Sequence, residues 1–325
     1  MCYSAQIWSD YRKYIREFRA KVGIKEFRNL FFRKAQGAQL LWPKGMEMVF
    51  ADPQTDEERE IWELIQECRR NDALVFEKGL FEQRKRVVDA QRKIDAKPNK
   101  PNKGAHEDVR IGNNKVSWNL TKLADINRTE PKEADSRIFP DWYVPVMTML
   151  DGELVVRPMR YHCRPARATP KYDEEYPDTF NARRTSLEKF WRGEWGQTHG
   201  VIMTDWFYEH VDLHKAEGRE LRPGEAPTDT IITFRPDYGR PMMVACLWSH
   251  WRARNETEED LLSVAFITDD PPPEVAAAGH DRCVIPLRHE NLMAWLNPDV
   301  NDLDAQQAIL DDRERPYYRH YLEAA

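Results

Sequence analysis

WYVPVMTML (residues 142–150), the dipeptide Asp151–Gly152 and ELVVRPM (153–159) read as two apolar strands joined by a tight turn, a β-hairpin. Outward from it, GVIMTDWF (200–207), DTIITFR (229–235), PMMVACLW (241–248) and LLSVAFIT (261–268) repeat the pattern of short apolar runs separated by turn residues. Residues 115–300 therefore read as one mainly β domain with a few helices. NARRTSLEKFW (181–191) reads as a turn entering a helix, with Thr185 and Glu188 at capping-box spacing. HENLMAWLNP (289–298) reads as a short helix ended by Pro298, and 301–325 as a polar, aromatic tail that packs back.

The first third has the helical period. Trp8, Tyr11, Ile15 and Phe18 form one apolar stripe, with Arg12, Lys13, Arg16 and Arg19 between them. Ile61, Leu64, Ile65 and Cys68 share a face, and Leu80, Val87 and Ile94 continue a later one. The prolines of KPNKPNKG end this region, and residues 97–115 read as a loop or linker. Two organisations fit: a helical insertion over about 5–110 within a domain made of the N-terminal residues plus 115–300, or a separate helical domain at 1–105.

The length, 325 residues, allows one large domain or two ordinary ones. With 41% hydrophobic and 11% aromatic residues, the chain is too apolar to be disordered throughout. No run is long enough for a membrane span, and no signal peptide follows Met1. Five scattered cysteines disfavour a disulfide scaffold. A reducing, cytoplasmic setting is expected, nucleoid-associated in a bacterium, with the chain monomeric. The net charge of −6 is unevenly spread: residues 11–34 hold nine Lys/Arg against two Glu, and 78–103 nine against three acids. Such segments suit solvated helix faces, a DNA surface or a protein partner.

Cys2 carries the sharpest chemistry. Removal of Met1 leaves an amine and a thiol on one residue, with reference pKa values of about 8 and about 8.5. Such an aminothiol condenses with an aldehyde: the amine makes an imine and the thiol closes a five-membered thiazolidine. Cys2 also suits simple thiol nucleophilic catalysis. No phosphate-binding glycine loop, dinucleotide fingerprint or zinc-protease motif is present. His162–Cys163 and His280–Cys283 do not have the spacing of a standard zinc site. No metal and no cofactor are expected.

Met1–Cys2, Asn181–Ala182–Arg183, Trp206–Phe207–Tyr208–Glu209–His210 and His280–Asp281–Arg282–Cys283 occur in the order and at the spacings of a known family. The chain resembles the SRAP (SOS response-associated peptidase) family over residues 1–4 and about 138–300. VPVM (144–147), VRPMRYHCRP (156–165), VACLWSHW (244–251) and AWLNP (294–298) resemble further family segments. The departures are Tyr3 for Gly, Trp206 and His210 for the Gly and Trp around Phe-Tyr-Glu, Ser249 for Glu, and Cys283–Val284 for Met-Pro.

The resemblance implies an α+β fold, a barrel-like β-rich domain with a helical insertion. It implies recognition of abasic sites in single-stranded DNA, the open sugar aldehyde being captured by Cys2 as a thiazolidine crosslink, with autopeptidase removal of the initiating segment. Glu209 then orients the amine and moves protons. His280 acts as general acid or base, and histidine's reference pKa of about 6.5 suits both roles. Asn181 holds the N-terminal backbone or the opened sugar. Arg183, Arg282, Arg160, Arg192 and Lys189 are candidate phosphate contacts, and Tyr161, Trp191 and Trp206 candidate base-stacking residues. Two other classes compete: an N-terminal-Cys hydrolase or amidotransferase, and a noncatalytic DNA- or protein-binding scaffold.

Overall fold

The computed structural model describes residues 3–98, 100, 102–255 and 258–323. The chain forms two compact units, one of residues 1–30, 39–52 and 133–325, the other of residues 31–38 and 53–132. The strands are β1 (Ser4–Ile7), β2 (Lys21–Val22), β3 (Arg137–Ile138), β4 (Tyr143–Leu150), β5 (Glu153–Tyr161), β6 (Asn181–Arg183), β7 (His199–Asp212), β8 (Asp229–Pro236), β9 (Met242–Trp251), β10 (Leu261–Asp269), β11 (Cys283–Val284), β12 (Pro286–Leu287) and β13 (Tyr318–Leu322). The helices are α1 (Tyr11–Phe18), α2 (Ile24–Ala35), α3 (Lys44–Met48), α4 (Asp56–Asp95), α5 (Lys103–Ile126), α6 (Tyr172–Glu175), α7 (Leu213–Ala216), α8 (Pro273–Ala277), α9 (Leu292–Leu296) and α10 (Leu303–Asp311).

The first unit is α+β and is built on a closed ring of strands. β4 pairs with β5, β5 with β10 in parallel, β10 with β9, and β7 pairs with both β9 and β4. Closure leaves no free edge in this barrel. The β4–β5 hairpin is the one read from the sequence. Leu150 lies opposite Glu153, and the two turn residues, Asp151 (φ 50°) and Gly152 (φ 81°), are both left-handed, as a two-residue hairpin turn requires. β4 is an unbroken apolar run, not an alternation, because residues 143–148 are buried on both faces.

β7 leaves the barrel halfway along. His199–Thr204 pair with β9, whereas Phe207–Asp212 pair with β8 and Thr204–Tyr208 face β1. A bulge against β1 falls between Gln6, opposite Trp206, and Ile7, opposite Thr204, leaving Asp205 extra. One extra residue reverses which parity points inward. Ile202 faces the core before the bulge; Phe207 and Val211 face it afterwards. Glu209, between them, is thereby turned inward, and His210 outward.

Several segments differ from their sequence reading. Tyr11 and Tyr14, not Ile15, bury the inner face of α1. The Tyr14 hydroxyl accepts from the Met203 backbone N–H (3.1 Å) and faces the Pro145 carbonyl, so a polar group is satisfied inside the barrel wall. Asn181–Arg183 is strand β6, parallel to β10, followed by a 3-10 turn over Arg184–Ser186 in place of the expected capped helix. The described part of the tail, 301–323, contains α10 and then β13, which pairs with β8 over five residues. HENLMAWLNP holds α9, as read.

The second unit contains a two-helix hairpin. Thr55 caps α4 by accepting from the Glu58 N–H, while the Glu58 carboxylate accepts from the Gln54 N–H. The expected loop at 97–115 is mostly helix, because α5 starts at Lys103 behind an Asn102 cap. Its polar sequence hides this, since only one narrow face meets α4. A Cβ on Gly112 would stand 2.5 Å from Val87, and one on Gly79 2.9 Å from Asn119, so these glycines permit close helix approach.

Glu194 is buried in the first unit beside the Ser249 hydroxyl and the Ala166 backbone N–H, and burial pushes its carboxyl above the usual range. A raised folded-state pKa adds stability at low pH that is lost as pH rises through it. Glu194→Gln, which removes the ionisable group at nearly the same size, therefore raises Tm relative to the parent more at pH 8 than at pH 5, each kcal/mol being worth about 2–4 °C. Paired calorimetric scans check this.

Candidate active site

The bulge in β7 and the loop after α8 bring two buried titratable groups together. Glu209 is 1% exposed and His280 8% exposed. His280 follows Gly279, whose φ of 94° turns the chain out of α8 and back towards β7. His280 Nδ1 lies 2.8 Å from the Arg282 carbonyl, and Nε2 lies 3.1 Å from Glu209 Oε2. A carbonyl only accepts, so Nδ1 carries a hydrogen. The Nε2–Oε2 contact then needs one proton, held either by the imidazole or by the carboxyl. Burial pushes the Glu209 carboxyl up, opposed by hydrogen bonds from His280 and the Tyr3 backbone N–H. The pair is a buried acid–base couple in contact with the Tyr3 backbone.

His199 shows what a purely structural histidine looks like here. Its Nδ1 faces the Trp295 carbonyl (3.0 Å), its Nε2 accepts from the Gly196 N–H (3.0 Å), and burial lowers its pKa to about 3. Both nitrogens serve the backbone and the ring is held neutral.

Cys2 lies outside the described residues. Tyr3, the next residue, is 42% exposed, and its ring meets Phe139 (6.1 Å), Phe180 (6.2 Å) and His210 (5.5 Å) edge-on. Asn181 is 8% exposed, directly after Phe180. Arg183 and Arg282 both reach Asp281, the neighbour of His280: Arg183 Nη1 at 3.8 Å and Arg282 Nε at 3.2 Å. Arg183 also binds Asp270 at 2.8 Å. Two of the expected phosphate contacts thus flank His280.

The other expected contacts are distributed differently. Arg160 is held with Arg164 on Asp173, and although burial pushes that carboxyl up, the two guanidiniums hold it down at about 2. Tyr161 (0% exposed) and Trp191 (2%) lie inside, so their rings offer no face to a base. Tyr161, on β5, packs edge-on against Phe266 in the core cluster, and Trp191 is edge-on to Phe190. Lys189 and Arg192 are exposed. Trp206 stands on the outer face of β7, with the Arg235 guanidinium 3.9 Å over its ring and its indole N–H donating to the Tyr208 hydroxyl. His162 is engaged by Asp141 (2.8 Å) and the Tyr176 carbonyl.

Two features escaped sequence reasoning. Arg137 lies 3.6 Å over the Tyr208 ring and donates to Ser4, fastening β3, β1 and β7. His210 pairs with Asp229 at 2.7 Å beside Tyr3. The only signal for the second was the His at a position where a Trp was expected; the first left none, because Arg137 lies in a strand of only two residues.

These observations define an α+β protein with a closed barrel and, on the half of β7 that leaves it, a buried Glu–His couple beside the N-terminal strand. Residues 108–322 match the family described as SOS response associated peptidase (SRAP), and the chain belongs to that family. Membership associates it with DNA repair and, in general terms, with peptidase-like activity. Among solved structures, a Bordetella bronchiseptica protein is 21% identical, covering 58% of this chain and 88% of its own, with a TM-score of 0.45. A Bacteroides thetaiotaomicron protein is 16% identical (57% and 77% covered, TM-score 0.46), and a phage-related protein from Bordetella bronchiseptica 18% (63% and 89%, TM-score 0.44). No curated protein matches the chain. Among the described residues no helix is long and apolar enough to cross a membrane, and no cluster of three His, Cys, Asp or Glu side chains is arranged to hold a metal ion.

Proposed function

We propose that the chain captures abasic sites in single-stranded DNA through Cys2, once Met1 has been removed by hydrolysis of the Met1–Cys2 bond. The observation that carries this reading is the Glu209–His280 couple, 3.1 Å apart and hydrogen-bonded to the Tyr3 backbone. The unprotonated amine of Cys2 adds to the C1′ aldehyde of the opened sugar. Glu209 passes one nitrogen proton to the alkoxide oxygen, giving the carbinolamine, and takes the second as the imine forms. His280 protonates the departing hydroxyl, and water leaves as the imine forms. The Cys2 sulfur then adds to the imine carbon and nitrogen regains a proton, closing the thiazolidine. Aldehyde and aminothiol are consumed, one water is released, and no oxidant or metal is required. Asn181 holds the opened sugar or the N-terminal backbone.

The surroundings suit this substrate. Arg183 and Arg282 lie beside His280 for phosphate contacts, and the Arg235–Trp206 layer on the outer face of β7 suits stacking with unpaired bases. Arg183→Ala and Arg282→Ala each weaken binding to undamaged single strands and lower the log K against log[salt] slope by about 0.7. Titrations at several salt concentrations check this.

The function is tested on denaturing gels with a DNA strand carrying one abasic site. The reading expects a slow-migrating adduct from the Met-free chain, absent with Cys2→Ala and absent when borohydride has first reduced the aldehyde. An adduct that survives the reduction, or one formed equally by Cys2→Ala, contradicts it. Amide turnover through a transient acyl-enzyme, with no DNA adduct, moves the assignment to an N-terminal-Cys hydrolase.

A further inference from the structure

The long helix α4 carries a surface that the abasic-site chemistry does not use. Leu74, Phe81 and Val88 are exposed by 63%, 72% and 48% and fall on one line of the helix rather than being scattered singly. They recur every seven residues. Lys78, Lys85 and Arg92, also exposed, recur every seven residues between them, and exposed Arg70 precedes the series. At 100° per residue, all seven side chains fall within about 40° of one line along the helix. The stripe from Arg70 to Arg92 is about 33 Å long at 1.5 Å per residue. It contains no acid.

The opposite side of α4 is already occupied by α5. Phe76 meets the Trp118 ring at 5.4 Å, Arg86 binds Asp108 at 2.6 Å, and Gly79 and Val87 sit against Asn119 and Gly112. Ala90 and Ala105 are both buried. The stripe is therefore not the seam of the hairpin. Its neighbours on either side do carry acids, and Arg92 makes a 3.5 Å contact with Asp89.

We infer that this stripe is a docking face for an acidic amphipathic helix of another protein. The apolar and cationic side chains alternate at the four-three spacing of a helix–helix seam, so every second seam position is a cation, which selects a partner that sets carboxylates against those positions beside its own apolar line. The same features weigh against other occupants. A second copy would bring cationic stripes together, with like charges opposed along the whole length. A membrane-surface helix needs a broad apolar face with its basic residues segregated to the other side, whereas here the two kinds alternate on one line. Single-stranded DNA gains from cations and aromatic rings, but Leu74 and Val88 have no flat face to offer a base.

The test uses the full chain and a fluorescein-labelled synthetic peptide of about four heptads, with Leu at both seam positions and Glu on both flanks. Expected is saturable, micromolar binding by anisotropy, with a gain of helical circular dichroism on mixing. Phe81→Ser and Lys85→Glu each weaken it at least tenfold, about 1.4 kcal/mol. Both positions are exposed, and an unchanged far-UV spectrum verifies each variant. A peptide of the same composition in scrambled order binds at least tenfold more weakly. Equal binding of the scrambled peptide, or binding unmoved by both substitutions, overturns the inference. So does a thymidine oligonucleotide whose binding falls with both substitutions while peptide binding does not. Self-association of the chain that is lost with Phe81→Ser would assign the face to a second copy instead.

Discussion

His280→Ala slows adduct formation by about 10²- to 10⁴-fold, the range expected when a positioned acid–base group is lost. Glu209→Gln falls in the same range. Both groups act on the proton of one contact, so removing either leaves the other without its partner, and the double variant is little slower than the worse single one. The pH profile separates this role from a structural one. Because burial raises the Glu209 carboxyl, the rising acid limb of the wild-type profile lies above the ordinary carboxylate range. That limb belongs to the couple, not to Glu209 alone. This component disappears in Glu209→Gln, because an amide does not titrate, and only the rise set by the Cys2 amine, with its reference pKa of about 8, remains. Single-turnover rates across pH, with excess protein over abasic DNA, provide the measurement. Rates within twofold of wild type, or that component kept by Glu209→Gln, contradict the roles given to the pair.

Phe207→Ala costs about 3–5 kcal/mol of stability, the usual penalty for emptying a buried aromatic site. Phe207 is fully buried in the core cluster, stacked on Phe234 at 5.2 Å and edge-on to Tyr318 at 5.4 Å. It is the first inward residue after the β7 bulge, and Tyr318 opens β13, so the cavity loosens the strand that aims Glu209 and the strand that closes the chain. Urea titration of the two proteins gives the difference directly. Phe81→Ala, at a 72% exposed position, serves as the comparison and stays within about 0.5 kcal/mol. Equal stability of Phe207→Ala and Phe81→Ala would mean that Phe207 does not anchor the bulged half of β7.

Much of the fold was legible because its information is local. The Asp151–Gly152 hairpin needs only two residues tolerant of positive φ between apolar runs, and both runs are in the sequence. The strands 199–212, 229–236, 242–251 and 261–269 announced themselves by apolar content, but ring closure did not. It depends on β7 pairing with both β4 and β9, a long-range choice that no segment encodes by itself. The loop expected at 97–115 follows from the prolines of KPNKPNKG; α5 begins directly after them, its side chains are mostly polar, and its close packing against α4 rests on Gly112. The site followed the same division. Glu209, His280, Arg183 and Arg282 could be picked out by their motifs, and the fold gathers them around one loop. Tyr161, Trp191 and Arg160 carry the right chemistry for DNA, but residue type alone does not tell a core ring from a stacking ring, or a paired guanidinium from an open one. The inward turn of Glu209 was not readable at all, since it depends on the single extra residue, Asp205, in the bulge.

The most direct test of the central claim, that the Glu209–His280 couple serves aldehyde capture by an N-terminal aminothiol, is the intact mass of the protein after incubation with abasic single-stranded DNA. The predicted species has the mass of the Met-free chain plus the DNA strand less one water. It forms without borohydride and is absent with undamaged DNA and with Cys2→Ala. A verified Met-free, folded chain that yields no such mass, or an adduct whose mass retains Met1, contradicts the account.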